Sequence, residues 1–356
     1  MSARPLQDYL SSCREMIAAE IRRVIPRDDR HTGGLYRLML DYPLRPGKAL
    51  RPALCLAVCR ALGGAQSAVL PTAAVLELYH NAFLIHDDVE DASSKRRHEL
   101  TLNALHGVPS AVNVGDGMLA LAIGPLLDNM AVIGVGRALR ILRLIARMAC
   151  ETAEGQMIEL NWIKSGAVPR RLGEYSRLVH KKTAWYSFIA PMSAGAIIGG
   201  AQHETVARIA RLAIPLGIAF QIQDDVLNLA TCGDAYGKDS LADLWEGKRT
   251  LILIHAINAA PHEDRATALE ILAKRQPRLG TELDTSARAH ERSASDVEFL
   301  RRLVELHGSL DFARQRARRF ARRFRAGLAH EADGWARSRH RDFLFELADY
   351  AIDRAT

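Results

Sequence analysis

The chain has 356 residues, of which 48% are hydrophobic and 25% charged, and its net charge is +7. That balance supplies material for a large core and excludes a chain that stays unfolded for want of one. The basic sign suits an anionic partner (nucleic acid, a membrane surface or a phosphorylated substrate), and charge alone does not choose among them.

The first 26 residues place apolar side chains at helical spacing and lack the apolar run of a signal peptide. Helical periodicity continues through 53–62, 73–85, 134–158 and 209–229, and period-two alternation is nearly absent. These segments are apolar almost all round, which suits central helices wrapped by others in an all-α, single-domain bundle over residues 1–356. No run approaches the roughly 18 uninterrupted apolar residues of a membrane span. Cys13, Cys55, Cys59, Cys150 and Cys232 are odd in number and lack zinc-ligand spacing, so they read as reduced thiols of a soluble, cytoplasmic protein. Cys55 and Cys59 are expected to share a buried helix face. The polar stretch 261–296, broken by Pro277 and Gly280, reads as a surface insertion. Beyond it, Phe312, Phe320 and Phe324 lie near one face of a helix crowded with arginine. The plain reading is an outer helix with a solvated basic side; contact with a membrane surface or nucleic acid is the lesser one.

Two acidic clusters carry the chemistry. Asp87 and Asp91, four apart, project from one helix face, with Asp88 between them. Like charges at that spacing repel, and the apolar residues before them (Ala82, Phe83, Leu84, Ile85) raise the cost. A divalent cation with hard oxygen ligands, such as Mg²⁺ shared with substrate phosphates, would neutralise the cluster. A solvated acidic helix end competes with that reading, and this motif alone does not decide. Asp224 and Asp225, at the end of a second long apolar helix, tip the balance; Glu159 and Asp243 are further acidic candidates. Cations interleave with both clusters: Lys48 and Arg51 between two prolines, Arg96 and Arg97, Lys182 before Thr183, Lys238 after Gly237 and Lys248 after Gly247. Such residues beside glycine or threonine suit phosphate binding.

In this order and spacing, from about Gly47 to Thr250, the motifs resemble the trans-prenyl diphosphate synthases of the polyprenyl synthetase family, short-chain members in particular. The resemblance implies the isoprenoid synthase bundle with a deep central cavity, a homodimer, and no nucleic-acid partner or membrane span. It implies Mg²⁺, three ions per site, held by Asp87, Asp91 and Asp224. Lys48, Arg51, His80 and Arg97 match residues that hold isopentenyl diphosphate. Arg96, Lys182, Lys238 and Lys248 match those on the allylic diphosphate (dimethylallyl, geranyl or farnesyl). Thr183 and Gln221 match the reaction centre, and Gln156 the cavity wall. The implied reaction is ionisation of the allylic diphosphate, attack by isopentenyl diphosphate and loss of a proton.

Asn228 stands where the family has a third aspartate, Ala49 where arginine is common, Pro46 and His98 where glycine is common, and Leu100 where proline is common. The competing readings are a farnesyl diphosphate synthase, a terpene cyclase of related fold and a non-catalytic regulatory subunit. Retention of Lys48, Arg51, His80 and Arg97 argues against the cyclase. Phe83 lies one turn, roughly 5.4 Å, below Asp87, and Tyr79 one turn further. A bulky residue at position 83 shortens the product in this family. With Ala82 leaving room, a C20 product is expected ahead of C15, although core packing explains Phe83 equally well in isolation.

Overall fold

Along α1 (Arg4–Val24) the buried side chains recur every three or four residues, as Leu6, Leu10, Cys13, Ile17 and Ile21, so one stripe of the helix docks on the body. The computed structural model describes residues 4–28, 30–230, 241–274 and 291–353. Next come α2 (Leu35–Leu44), α3 (Leu50–Ala61) and α4 (Gln66–Glu90), then a two-stranded hairpin of β1 (Lys95–Arg96) and β2 (Glu99–Leu100). After α5 (Leu102–His106), α6 (Val108–Leu121), α7 (Ile123–Asp128) and α8 (Met130–Ile133), the long α9 (Val135–Ser165) and α10 (Leu172–Val179) lead into a π-helix, His180–Ile189. The chain continues through α11 (Ala190–Ile198), α12 (His203–Ala230), α13 (Ala242–Glu246), α14 (Leu251–Ala259) and α15 (His262–Ala273), and closes with α16 (Ala294–Leu306), α17 (Ser309–Glu331) and α18 (Arg339–Asp353).

The all-helical bundle expected from the sequence is present; among the described residues the only strands are the two of the hairpin. The four segments read as central helices correspond to α3, α4, α9 and α12. Helix α12 packs on the π-helix, α11 and α17, and α4 on α3 and α6. Cys55 and Cys59 are fully buried, as their spacing implies. Three stretches, Gln66–Glu90, Val108–Ile133 and His203–Ala230, have the length and hydropathy of a membrane span although none is an uninterrupted apolar run. In Gln66–Glu90 this composition follows from a central position in the bundle, where apolar groups are needed on every side, whereas Val108–Ile133 leaves Val112, Leu127 and Val132 exposed.

The 261–296 stretch departs from expectation. Its first part forms α15, whose Ala268, Ile271 and Leu272 are buried in a second apolar cluster with α14 and α16. Lys274 then pairs with Asp296 at 2.8 Å. A polar composition hid a narrow apolar stripe. Pro277 and Gly280 lie outside the described residues.

Helix α1 is fixed to α18 through Tyr9, which stacks on Phe343 with centroids 4.3 Å apart and hydrogen-bonds His340 Nδ1 at 2.8 Å. Burial, with Arg339 and Arg60 nearby, depresses the His340 pKa to about 4. A depressed histidine stabilises the fold fully above its unfolded pKa of 6.5, and that contribution is lost as pH falls towards 4. His340→Gln should therefore flatten the fall of Tm between pH 6.5 and 4; a wild-type slope in the variant would contradict this.

Candidate active site

The last turn of α4 and the last turns of α12 both line one cavity of about 290 Å³. Asp87 from α4 and Asp224, Asp225 and Asn228 from α12 line it, with Asp243, Glu159, Lys182, Lys248 and Arg96 among the other polar residues of its lining. The two acidic clusters thus share a chamber.

The cations are seated among these carboxylates. Lys182 Nζ lies 3.5 Å from Asp87 Oδ1 and is also bonded to Glu159. Burial works against its charge, but Glu159 and Asp87 outweigh it and hold the ammonium above the ordinary lysine range. Lys248 Nζ lies 3.2 Å from Asp91 Oδ2 and 2.5 Å from Glu246. Burial raises the Asp91 carboxyl to about 7 against the pull of Lys248, with Asp87 adding to the rise. Burial also pushes Asp225 well up, with Asp243 adding to it. At both, burial disfavours the bare carboxylate and a neighbouring carboxylate adds to the effect, which a bound cation would offset.

Neighbouring residues on one helix point about 100° apart, and the acidic motif divides accordingly. Asp87 faces the cavity. Asp88, grouped with the catalytic carboxylates from its sequence position, is fully buried elsewhere: it accepts from Tyr42 Oη at 2.6 Å and from Arg96 Nη2 at 2.6 Å. It anchors the hairpin and does not line the chamber. Arg96 is thereby held at the cavity edge, 3.5 Å from Asp87. The hairpin turn places Arg97 and His98 at φ 54° and 66°. A two-residue turn of this kind demands the left-handed region at both positions, which explains the glycine usual at position 98.

The π-helix positions Lys182 and Thr183. Wide turns of this type are frequent at functional sites. Gly155 of α9 permits the close approach: a Cβ there would lie 2.3 Å from the Lys182 backbone nitrogen. Thr183 Oγ1 donates to Gln221 Oε1 at 2.8 Å, and Gln221 Nε2 donates to Asp225 Oδ1 at 2.8 Å. Gln156 reaches Asp87 at 3.5 Å.

Arg51 and Arg97, with His80 beside them, form a second cluster outside the lining of the first cavity. Arg51 lies over the Tyr186 ring at 4.5 Å and donates to Ser187 Oγ at 2.8 Å. His80 stacks on the same ring at 5.8 Å. Arg97 is packed so closely on Gly47 that a Cβ there would meet its Nη1 at 2.9 Å. Burial, with Arg51 and Arg97 beside it, keeps His80 well below the usual histidine range and so neutral. Arg51 Nε and His80 Nδ1 are buried with no hydrogen-bond partner among the described residues. Lys48 stands apart, over the Tyr350 ring at 5.4 Å. Lys238 lies outside the described residues.

Phe83 and Tyr79 sit below Asp87 as expected, in ring contact at 6.0 Å, but neither borders the cavity. Tyr186 does, and its ring meets Phe83 edge-on at 5.8 Å. Ala82, expected to leave room, is fully buried in the core and does not line the cavity either. The sequence reading missed several supporting residues. Tyr175 donates to Asp225 Oδ2 at 2.7 Å. Asn228 Oδ1 accepts from the Asp243 backbone at 3.2 Å and so fixes the start of α13. Buried Arg249 and Arg292 bind the carbonyls of Gly247 and Trp245 and hold the loop of Lys248. Scattered tyrosines and arginines carry no spacing signal that would have flagged them.

Among the described residues no three metal-binding side chains converge as a ready-made cage. Carboxylates split across a chamber suit ions whose shells are completed by ligand oxygens, as Mg²⁺ prefers, and the hard oxygen donors present fit such an ion.

The comparisons agree with this geometry. The family model for polyprenyl synthetase matches residues 34–285. A geranylgeranyl pyrophosphate synthase of Geoglobus acetivorans is 32% identical over 323 residues, 90% of this chain and 91% of that protein. An all-trans-nonaprenyl-diphosphate synthase of Rhodobacter capsulatus is 31% identical over 86% of this chain and 85% of its own. The crystal structure of a Caulobacter crescentus polyprenyl synthase, complexed with calcium and isoprenyl diphosphate, superposes with a TM-score of 0.81 at 26% identity, covering 100% of this chain and 98% of that one. With the matching motifs seated around one chamber, the chain belongs to the polyprenyl synthetase family and is a prenyltransferase.

Proposed function

We propose that this enzyme condenses isopentenyl diphosphate with an allylic diphosphate, with Mg²⁺, to give a short-chain product, geranylgeranyl diphosphate (C20). The observation that carries the reading is that Asp87 and Asp224, from different helices, line one cavity together with Lys182, Lys248 and Arg96. The relative in Geoglobus acetivorans is named for the C20 product.

In this reading Asp87, Asp91 and Asp224 would hold Mg²⁺, three ions per site, which would supply charge stabilisation for the leaving diphosphate. Lys182, Lys248 and Arg96, which line the cavity, clamp the allylic diphosphate; Lys238, outside the described residues, is a fourth candidate for that role. Thr183 and Gln221, locked to each other, line the chamber beside the reacting carbon, where the remaining lone pairs of Thr183 Oγ1 and Gln221 Oε1 are available to developing positive charge. Arg51, His80, Arg97 and Lys48 hold isopentenyl diphosphate on the far side of Tyr186; the orphaned Arg51 Nε and His80 Nδ1 are ready partners for it. The double bond attacks the allylic cation from that side, and the departed diphosphate takes the proton that is lost. Exclusion of water by Leu178, Val179 and Tyr186 keeps the cation from being quenched to an alcohol. The exposed apolar residues of α6 to α9, among them Val112, Leu127, Val132 and Leu139, support a homodimer, and the buried thiols a cytoplasmic location.

Mass spectrometry of products formed with isopentenyl diphosphate and each of the C5, C10 and C15 primers tests the reading. A C20 product is expected from all three, and none with the purified chain alone would contradict it. Phe83→Ala should lengthen the product, because Tyr186 loses the ring beneath it; an unchanged product spectrum would remove Phe83 as the floor.

A further inference from the structure

We propose that the outer face of α17 docks on an anionic phospholipid surface. The inference is independent of the reaction assigned above. Helix α17 buries Ala313, Ala317, Ala321, Phe324 and Leu328 against the body. That stripe turns the remaining side chains outward. Arg318, Arg319, Arg322 and Arg323 are exposed. Nearby, Arg314 pairs with Asp311 and Arg325 with Asp349. Among the described residues no carboxylate pairs with the four. Arg318 with Arg322 and Arg319 with Arg323 are like charges one turn apart, which work against the helix. An anionic surface removes that repulsion, and guanidinium groups match phosphate geometry.

Apolar groups beside the arginines favour lipid over nucleic acid. Phe312 and Phe320 are half-buried along one edge of the basic face, and Arg316 lies over the Phe312 ring at 5.1 Å. Leu306, just before α17, is 74% exposed. Cations with neighbouring phenylalanine and leucine suit the boundary between headgroups and acyl chains; a phosphodiester backbone gives such side chains nothing to enter.

Sedimentation of the full-length chain with phosphatidylcholine vesicles, with and without a third of phosphatidylglycerol, tests the proposal. The chain should sediment with the anionic vesicles and not the neutral ones, and added salt should release it. Combined Arg318→Gln, Arg319→Gln, Arg322→Gln and Arg323→Gln should lower partitioning about tenfold or more, with Tm unchanged or raised. A control with the same loss of charge (Arg14→Gln, Arg22→Gln, Arg27→Gln and Arg170→Gln) should keep binding, and Leu306→Glu should weaken it. Absence of binding to anionic vesicles, retention by the α17 variant, or equal loss in both quadruple variants would overturn the proposal. So would capture of duplex DNA or RNA through α17 without vesicle binding.

Discussion

Asp87→Asn and Asp224→Asn should each lower kcat/KM about a thousandfold, the size of effect seen when a group that stabilises transition-state charge is removed, with the circular dichroism spectrum unchanged. Each carboxylate lines the cavity without being part of the core, so the loss falls on the chemistry. Asp88→Asn should behave differently. Asp88 is fully buried against Arg96 and Tyr42, and breaking one side of a buried ion pair costs about 3–5 kcal/mol. Its Tm should fall steeply, and activity should fall with the hairpin that carries Arg96. Matched kinetics and thermal melts of the three variants separate the roles; equal melts, or an active Asp224→Asn enzyme, would contradict the assignment.

Gly155→Val should cost about 1–3 kcal/mol of stability through overpacking and about a hundredfold in kcat, since a shift near 1 Å in a positioned group has that effect. The side chain would meet the Lys182 backbone, and α9 must move away or the π-helix must give. Either displaces Lys182 from Asp87 and Glu159. Steady-state rates and a chemical-denaturation curve check both numbers. Wild-type kcat in the variant would show that the close approach of α9 does not position Lys182.

Much of this arrangement was legible in the sequence because it is local. The apolar runs that became α4 and α12 end at acidic motifs, so a helical period suffices to put Asp87 in the last turn of one helix and Asp224 within the last two turns of another. What local pattern does not encode is which wall each neighbour faces after packing. Asp88 reads like Asp87 until Tyr42 and Arg96 claim it. Asn228, which stands where the family has an aspartate, lines the cavity, and the sequence does not show that its side chain also holds the α13 backbone. Ala82 reads as space beside Phe83 and is core. The α15 stripe of Ala268, Ile271 and Leu272 was hidden by the polar residues around it. Each miss depends on a partner distant in sequence, chosen by long-range packing rather than by propensity. Family resemblance supplied the grouping of Arg51, His80 and Arg97, and the fold brings Arg51 and His80 onto the Tyr186 ring with Arg97 close to His80.

Calorimetric titration of a non-ionisable allylic thiodiphosphate into the protein, with Mg²⁺ and then with a chelator, addresses the central claim without relying on turnover. Tight binding that requires Mg²⁺ and is lost in Asp87→Asn and Asp224→Asn is the expected result. Equally tight binding in the chelator, or in both variants, would contradict the account.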